Sequence, residues 1–556
     1  MTDDETRVEW RRWGPEAFEE ADAAGKPVLL SLTATWCDGC HEMDVETYGE
    51  PRIAANVNDG FVPVRVDVDR HPRVRERYNM GGFPSTVFCT PSGELVTGAM
   101  YLGPDGMRQV LDRVRETWTE RGDAAGRVPR ALADDPTPEG PVDTHIEEHL
   151  AGQLDEKYDD RFAGWGDGTK FPMPRTIEFA LKRSRRQAVE TLRTLAETLF
   201  DDVEGGFFRY AEGRDWSDPH HEKLLDTNAA LVRAFANGYL YTGDDALLDP
   251  ARRTQAFLAE RLWNGAAFGG SVGPGDGSSV GPGDDEEYYE LDADGRADHA
   301  GPRRDLTAYA GANALAADAL LTLTAYTDDE SARDYAVRTL DYLDSRLVDD
   351  DGVVTHFEAG EETGETLLLE DHARVVAAFG RARQVLGDDR YLDRARSVAD
   401  AALDELQAGD GAFRDGPASG AGLLDRPLRP LDANVEMADA LCDLAAVTGE
   451  DAYEDAARNA VGAFAGAWDR IGVQVAGYGS VAARLTRPTL VVAVGAPAGS
   501  DLHRAALRVA DHEKVVVPDA PGVSADAATV RLGDRERTVT TPDQLMTAVS
   551  DLTDGA

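Results

Sequence analysis

Cys37 and Cys40, with Trp36 before them and His41 behind, form a Cys-x-x-Cys pair that follows closely on the apolar run at 28–32. The run reads as a buried strand and residues 37–48 as a helix, which puts the dithiol at a strand-to-helix junction. A thiol at the first turn of a helix faces unpaired backbone N–H groups and the positive end of the helix dipole. Its thiolate is therefore favoured, and its pKa falls from roughly 8.5 into a range of about 3.5–7.5. Cys37 is the candidate nucleophile of a thiol–disulfide exchange, and Cys40, one turn on, the resolving thiol.

Other chemistries share this spacing. Cys37-x-x-Cys40-His41 is also the signature of c-type haem attachment, but that needs export and an axial partner, and the strand-to-helix setting suits a redox pair better. A zinc site could draw on Cys37, Cys40, His41 and Cys89 or His71, yet no second closely spaced ligand pair is present. We therefore expect no metal and no cofactor, and Cys89 as a buried core thiol. Gly81-Gly82-Phe83-Pro84-Ser85-Thr86, leading into a strand, offers Pro84 as the cis proline that a thioredoxin fold sets beside its dithiol. Two features depart from thioredoxin. The buried carboxylate expected six residues before the first Cys is Ser31 here, leaving His41 or Asp38 to serve the resolving thiol. Asp38 also opposes thiolate formation at Cys37 by like-charge repulsion.

The formal charge is −46, from 103 acidic and 57 basic residues of which only six are Lys. This balance resembles that of proteins from salt-accumulating halophiles, whose carboxylate surface stays solvated in concentrated salt. It also repels nucleic acid. With four cysteines, no basic-then-apolar leader and no long apolar run, the chain reads as soluble and cytoplasmic, without membrane partners.

Along the chain, a helix at Pro15–Ala24, strands at 26–33 and 61–68, a hairpin at 86–99 and a helix at 105–120 follow the order of a thioredoxin fold. The acidic, Pro-bearing stretch at 134–141 reads as a linker. Helical periodicity then recurs at 187–200, 224–241, 247–262, 308–326, 331–347, 370–386, 389–406, 435–447 and 452–468. Gly-aromatic turns separate several of these helices: Gly205-Gly206-Phe207, Phe268-Gly269-Gly270 and Gly411-Ala412-Phe413. Repeated helical hairpins predict a closed toroid, with an open solenoid as the alternative. A glycine-rich stretch at 269–285 reads as a surface loop. Strands at 488–495 and 514–518, a hairpin at 528–540 and a last helix at 542–552 form a small α/β end. The expected architecture is therefore multi-domain: an α/β thioredoxin-like domain at 1–125, an all-α (α/α) toroid at 143–485 and an α/β appendage at 486–556.

These residues resemble a family that joins a divergent thioredoxin-like domain to a six-hairpin glycosidase-like toroid, the YyaL-like and spermatogenesis-associated thioredoxin-domain proteins. The resemblance rests on Cys37-x-x-Cys40-His41-x-Met43, Glu46-Thr47-Tyr48 and Gly81-Gly82-Phe83-Pro84. It continues through Lys170-Phe171-Pro172-Met173-Pro174, Gly205-Gly206-Phe207-Phe208-Arg209-Tyr210, and Asp215-Trp216 with Pro219-His220-His221-Glu222-Lys223-Leu224. His221, Leu224 and Asp226-Thr227 depart from the family pattern, which usually has Phe, Met and Tyr-Asp there. What the resemblance implies is a funnel related to those of glycosidases and sugar epimerases, with acid/base chemistry. Its candidate residues are His220, Glu222, Lys223 and Asn228 at a helix start, joined by Lys170, Asp371 and His372. The leading expectation is a thiol–disulfide oxidoreductase acting on a disulfide-bearing protein or small thiol, coupled to a carbohydrate- or partner-binding toroid. The alternatives are a sugar epimerase or glycosidase with a regulatory thioredoxin module, and a non-enzymatic scaffold or chaperone-like binding protein.

Overall fold

The computed structural model describes residues 6–133, 136–275, 288–299 and 301–553. The glycine-rich stretch beyond residue 275 and Asp134-Asp135 of the linker lie outside the described residues. The chain forms two compact units. The first comprises Met1–Pro136 together with two later excursions, Ser271–Asp305 and Asp415–Leu428; the second holds the remainder, including the C-terminal α/β segment.

In the first unit, β1 (Arg11–Arg12), α1 (Pro15–Ala24), β2 (Val28–Thr33), α2 (Asp38–Glu46), α3 (Pro51–Gly60), β3 (Val62–Asp67), α4 (Pro72–Tyr78), β4 (Ser85–Cys89), β5 (Leu95–Ala99) and α5 (Pro104–Arg121) succeed one another. The sheet order is β1-β3-β2-β4-β5. Strand β2 runs parallel to β3 and antiparallel to β4, so it is central and buried along its whole length, which is why it reads as a largely apolar run, with only Ser31 and Thr33 polar. Met43, Tyr48, Ile53, Val57, Phe61, Phe88, Met107 and Leu111 pack one core beside Leu29. This is the expected thioredoxin-like α/β arrangement. Helices α3 and α4 were not anticipated; each is short and begins with proline at its first turn.

The excursion at 415–428 is fastened to α4 by two buried arginines. Arg77 makes a bidentate pair with Asp415 (2.7 and 3.2 Å) and donates to the carbonyls of Leu423 and Arg426. Arg73 donates to the carbonyls of Pro417 and Leu424. The Tyr78 hydroxyl accepts from Leu423 N–H and donates to Gly93 O.

In the second unit, Pro174–Arg183, Leu225–Thr242, Ala310–Thr327, Leu369–Leu386, Leu431–Thr448 and Gly477–Thr486 pack side by side as an inner ring. Each is backed by an outer helix: Arg185–Thr198, Asp245–Phe257, Glu330–Tyr342, Asp389–Glu405, Asp451–Gly462 and, for the last, Thr144–Lys157. Gly477–Thr486 also packs on Pro174–Arg183, which closes the ring and excludes the open solenoid. Strands Val515–Val517, Leu490–Val494, Ala528–Leu532 and Arg535–Val539 form a small mixed sheet in that order. Among the described residues no helix is long and apolar enough to cross a membrane.

A repeated device fixes the hairpins. Asn228, Asn313 and Asn434 each stand fourth in an inner helix. Each accepts the N–H of an aromatic residue in the preceding turn, Phe207, Phe268 or Phe413, and donates back to the same residue's carbonyl. The second amide hydrogen goes to the carbonyl four residues earlier. An amide thus satisfies three backbone groups at a buried helix start, where unpaired donors and acceptors are costly. His372 holds the same fourth position in Leu369–Leu386: its Nδ1 bonds Leu368 O (2.9 Å) and its Nε2 accepts from Val354 N–H (3.3 Å).

Candidate active site: a dithiol and the groups around it

Cys37 caps α2 in an extended conformation, and its sulfur accepts from Cys40 N–H at 3.2 Å. Cys37 and Cys40 are joined as a disulfide, with Cα atoms 5.3 Å apart, and are 5% and 3% exposed. The Phe83–Pro84 peptide is cis. A Cβ on Gly39 would stand 3.0 Å from Pro84 Cδ, so the proline ring lies directly against the residues between the two cysteines. The loop that carries Pro84 is tied by Ser85, whose hydroxyl donates to Gly82 O and accepts from Met80 N–H. Phe83 meets Trp36 edge to face at 5.7 Å.

His41 is buried, and Arg303 of the 271–305 excursion reaches its Nδ1 at 3.3 Å. A guanidinium has no acceptor, so Nδ1 must accept and the ring proton sits on Nε2, which donates to Thr35 O at 3.1 Å. Ser31 is buried on β2, in register with Arg65 of β3 and Thr86 of β4. A buried carboxylate is nevertheless present on α2: Asp44, ion-paired with Arg65.

Sequence reasoning missed a second group of carboxylates. The Trp36 indole donates to Asp69 Oδ2 at 2.8 Å, and Asp67 Oδ1 accepts from the N–H groups of Asp69 and Arg70. Burial, reinforced by the charge of Asp305, pushes the Asp67 carboxyl up to about 6; burial together with Asp67 and Asp305 pushes Asp69 up to about 7. Arg70 and Arg75 oppose these shifts only in part. The repeated acidic residues at 67 and 69 were a visible signal; the approach of Asp305, far off in sequence, had none.

Of the funnel candidates of the second unit, His220 and Glu222 approach each other, with His220 Nδ1 3.9 Å from Glu222 Oε1, while Lys170, Lys223, Asn228, Asp371 and His372 are held in local networks of their own. Lys170 is fully buried and donates to Asp159 Oδ2 (3.2 Å) and to the carbonyls of Ala163 and Gly166. Lys223, equally buried, donates to Asp201 Oδ2 (2.6 Å) and Gly205 O (2.7 Å). Glu222 pairs with Arg209 at 3.0 Å, while His220 pairs with Glu212 at 3.0 Å and stacks on Tyr210. Asn228 and His372 are the clamps described above. Asp371 Oδ1 accepts from Gly311 N–H, and its Oδ2 meets His356 Nδ1 at 2.8 Å, a pairing not anticipated.

Between the inner helices, Arg175, Arg233, Arg374 and Arg381 surround a cavity of about 50 Å³ together with Asp318, Glu436, Asp439 and Asp443. Arg233 bridges Glu178 and Asp318; Arg381 also holds Asp318. Arg374 holds Glu436, and Arg484 holds Asp439 and Asp443. Burial alone would raise the Glu436 carboxyl, but Arg374 and Arg175 hold it down to about 2.

Sheet order, capping dithiol and cis proline define a thioredoxin-like unit, and the chain continues into a six-hairpin helical ring. Residues 1–134 match the family Thioredox_DsbH, described as a protein of unknown function, DUF255. The chain is 30% identical to human spermatogenesis-associated protein 20 over 294 residues, 46% of this chain and 37% of that protein. The match thus spans little more than a third of that curated relative. Over 109 residues it is 29% identical to thiol:disulfide interchange protein DsbD 1 of Pseudomonas aeruginosa, covering 19% of this chain and 18% of that one. Among solved structures, a sugar epimerase from a ruminal bacterium aligns with a TM-score of 0.46 at 13% identity, over 57% of this chain and 84% of that one.

Proposed function

We propose that the first unit is a thiol–disulfide exchange centre. The observation that carries this reading is the Cys37 sulfur at the N-cap of α2, bonded by Cys40 N–H, with the cis Pro84 ring against the intervening Gly39. In the reduced protein the Cys37 thiolate attacks one sulfur of a substrate disulfide, and the other leaves as a thiolate. Cys40, deprotonated, then attacks Cys37 and expels the bound substrate sulfur. The substrate gains two electrons and the protein is left with the Cys37–Cys40 disulfide; an external dithiol reductant returns it to the start.

The helical ring serves this centre as a scaffold or binding platform. Hydrolysis needs two carboxyl groups flanking a bond, and epimerisation needs two proton-transfer groups. The arginine-paired carboxylates around a 50 Å³ cavity favour a structural role, since ligand pockets run to about 300–1,000 Å³. The acidic, lysine-poor surface fits work in concentrated salt, and a cytoplasmic setting fits the scarcity of cysteines.

The test is reduction of a model disulfide by pre-reduced protein in high salt. Wild type should turn over, Cys37→Ser should lose activity by at least about a hundredfold, as expected when the attacking thiolate is removed, and Cys40→Ser should accumulate a mixed disulfide. Equal rates for wild type and Cys37→Ser would remove the redox reading.

A further inference from the structure

We infer that the exposed face of α2, with Tyr101, selects disulfide substrates that carry cationic side chains beside the reacting cysteine. The inference rests on the exchange reading above and deepens it.

Asp38, Glu42 and Glu46 follow one another at intervals of four along α2, so they share one face of the helix that begins at the dithiol. Glu42 and Glu46 are exposed, and among the described residues neither forms an ion pair. Tyr101 lies near both, and its ring passes over the dithiol turn, with Tyr101 Cδ2 at 3.7 Å from a Cβ built on Gly39. Burial and these carboxylates together push the phenol up to about 12, so it stays a neutral hydrogen-bond donor.

Around this acidic edge the surface is apolar. Val45 is 60% exposed, Met100 52% and Tyr101 39%, three of the large hydrophobic side chains left open to solvent among the described residues. Met100 sulfur sits against Gly82 of the loop that carries Pro84. An extended peptide laid along that loop would place its cysteine at Cys37, its apolar neighbours on Met100 and Tyr101, and a side chain on the α2 side against two unpaired carboxylates. Lysine or arginine satisfies that position; an acidic residue is repelled there. The diffuse charge of the whole protein favours cations everywhere, but Glu42 and Glu46 act at contact distance, where salt screens least.

The probe is a set of three cysteine peptides differing only in residues flanking the cysteine, Arg, Ala or Glu, each carrying thionitrobenzoate as the leaving thiol. Its release by pre-reduced full-length protein is followed at the lowest salt that keeps the fold. Wild type should react about tenfold faster with the Arg than with the Glu peptide, the size expected for one or two close charge contacts. In Glu42→Gln/Glu46→Gln that ratio should fall to about two- to threefold, the residue of long-range steering. A control, Glu19→Gln/Asp22→Gln, removes the same charge from α1 and should keep the wild-type ratio. An undiminished ratio in the α2 variant, or the same drop in the control, overturns the inference. Failure of all three peptides to react faster with wild type than with Cys37→Ser overturns the exchange reading itself and this inference with it.

Discussion

On the axis of the helical unit every carboxylate around the cavity is matched by an arginine, as Asp318 is by Arg233 and Arg381, and Glu436 by Arg374. Beside the dithiol, Asp67 and Asp69 lie against each other and against Asp305, while Glu42 and Glu46 have no cationic partner among the described residues. Both regions are rich in acid, yet their chemistry differs. A carboxylate held between guanidinium groups stays ionised and cannot exchange a proton near neutrality. One crowded by its own kind in a buried place titrates there. Burial and mutual repulsion thus raise Asp67 and Asp69 toward neutrality, whereas arginines hold Asp318 and Glu436 of the ring down.

The largest effect should come from breaking the paired region. Arg233→Met leaves Glu178 facing only Asn237, and Asp318 with Arg381 alone. Uncompensated buried charge should cost about 3–5 kcal/mol in chemical denaturation; a loss below 1 kcal/mol would show that water already solvates the axis. Next, Asn313→Ala strips three backbone groups at one turn and should cost about 1–3 kcal/mol, with faster hydrogen exchange at Phe268. A cost no greater than that of a surface alanine would show the clamp to be dispensable.

A smaller effect is expected from pH. Asp67 and Asp69 bind their protons more tightly folded than unfolded. Their contribution is complete below about pH 4, the unfolded aspartate range, and is lost as pH rises through 6 and 7. Thermal stability of the first unit should fall across that window, and Asp69→Asn should flatten the fall; an unchanged profile would place the titration elsewhere. Smallest, Gly39→Ala should cost about 1 kcal/mol through its contact with Pro84, and slow peptide exchange severalfold.

The local parts of the fold were legible in the sequence. The apolar strand before Cys37, the proline loop at 84 and helix Pro15–Ala24 each follow from a pattern a few residues long. Pro174–Arg183 and Gly477–Thr486 were not read, although both are inner helices of the ring, because one is short behind prolines and the other is broken by Gly477 and Gly479. Thr144–Lys157 was passed over because its stripe of Ile146, Leu150 and Leu154 is thin among polar residues. Lys170, Lys223 and Asn228 show why polar residues at helix starts are ambiguous: carbonyl groups of the chain itself recruit the same donors that a ligand would. His356 beside Asp371 and Asp305 beside Asp67 depend on folding across long separations and leave no local pattern.

Three of the four clamps at the inner helix starts are amides, indifferent to pH. The fourth is His372, whose burial lowers its affinity for a proton and whose Nε2 must stay bare to accept from Val354. As pH falls below the ordinary histidine range of about 6.5, protonation removes that acceptor while its three counterparts hold. Acid should therefore open the ring along a single seam at the turn before Leu369–Leu386, with Val354 exchanging its amide hydrogen ahead of Phe207, Phe268 and Phe413.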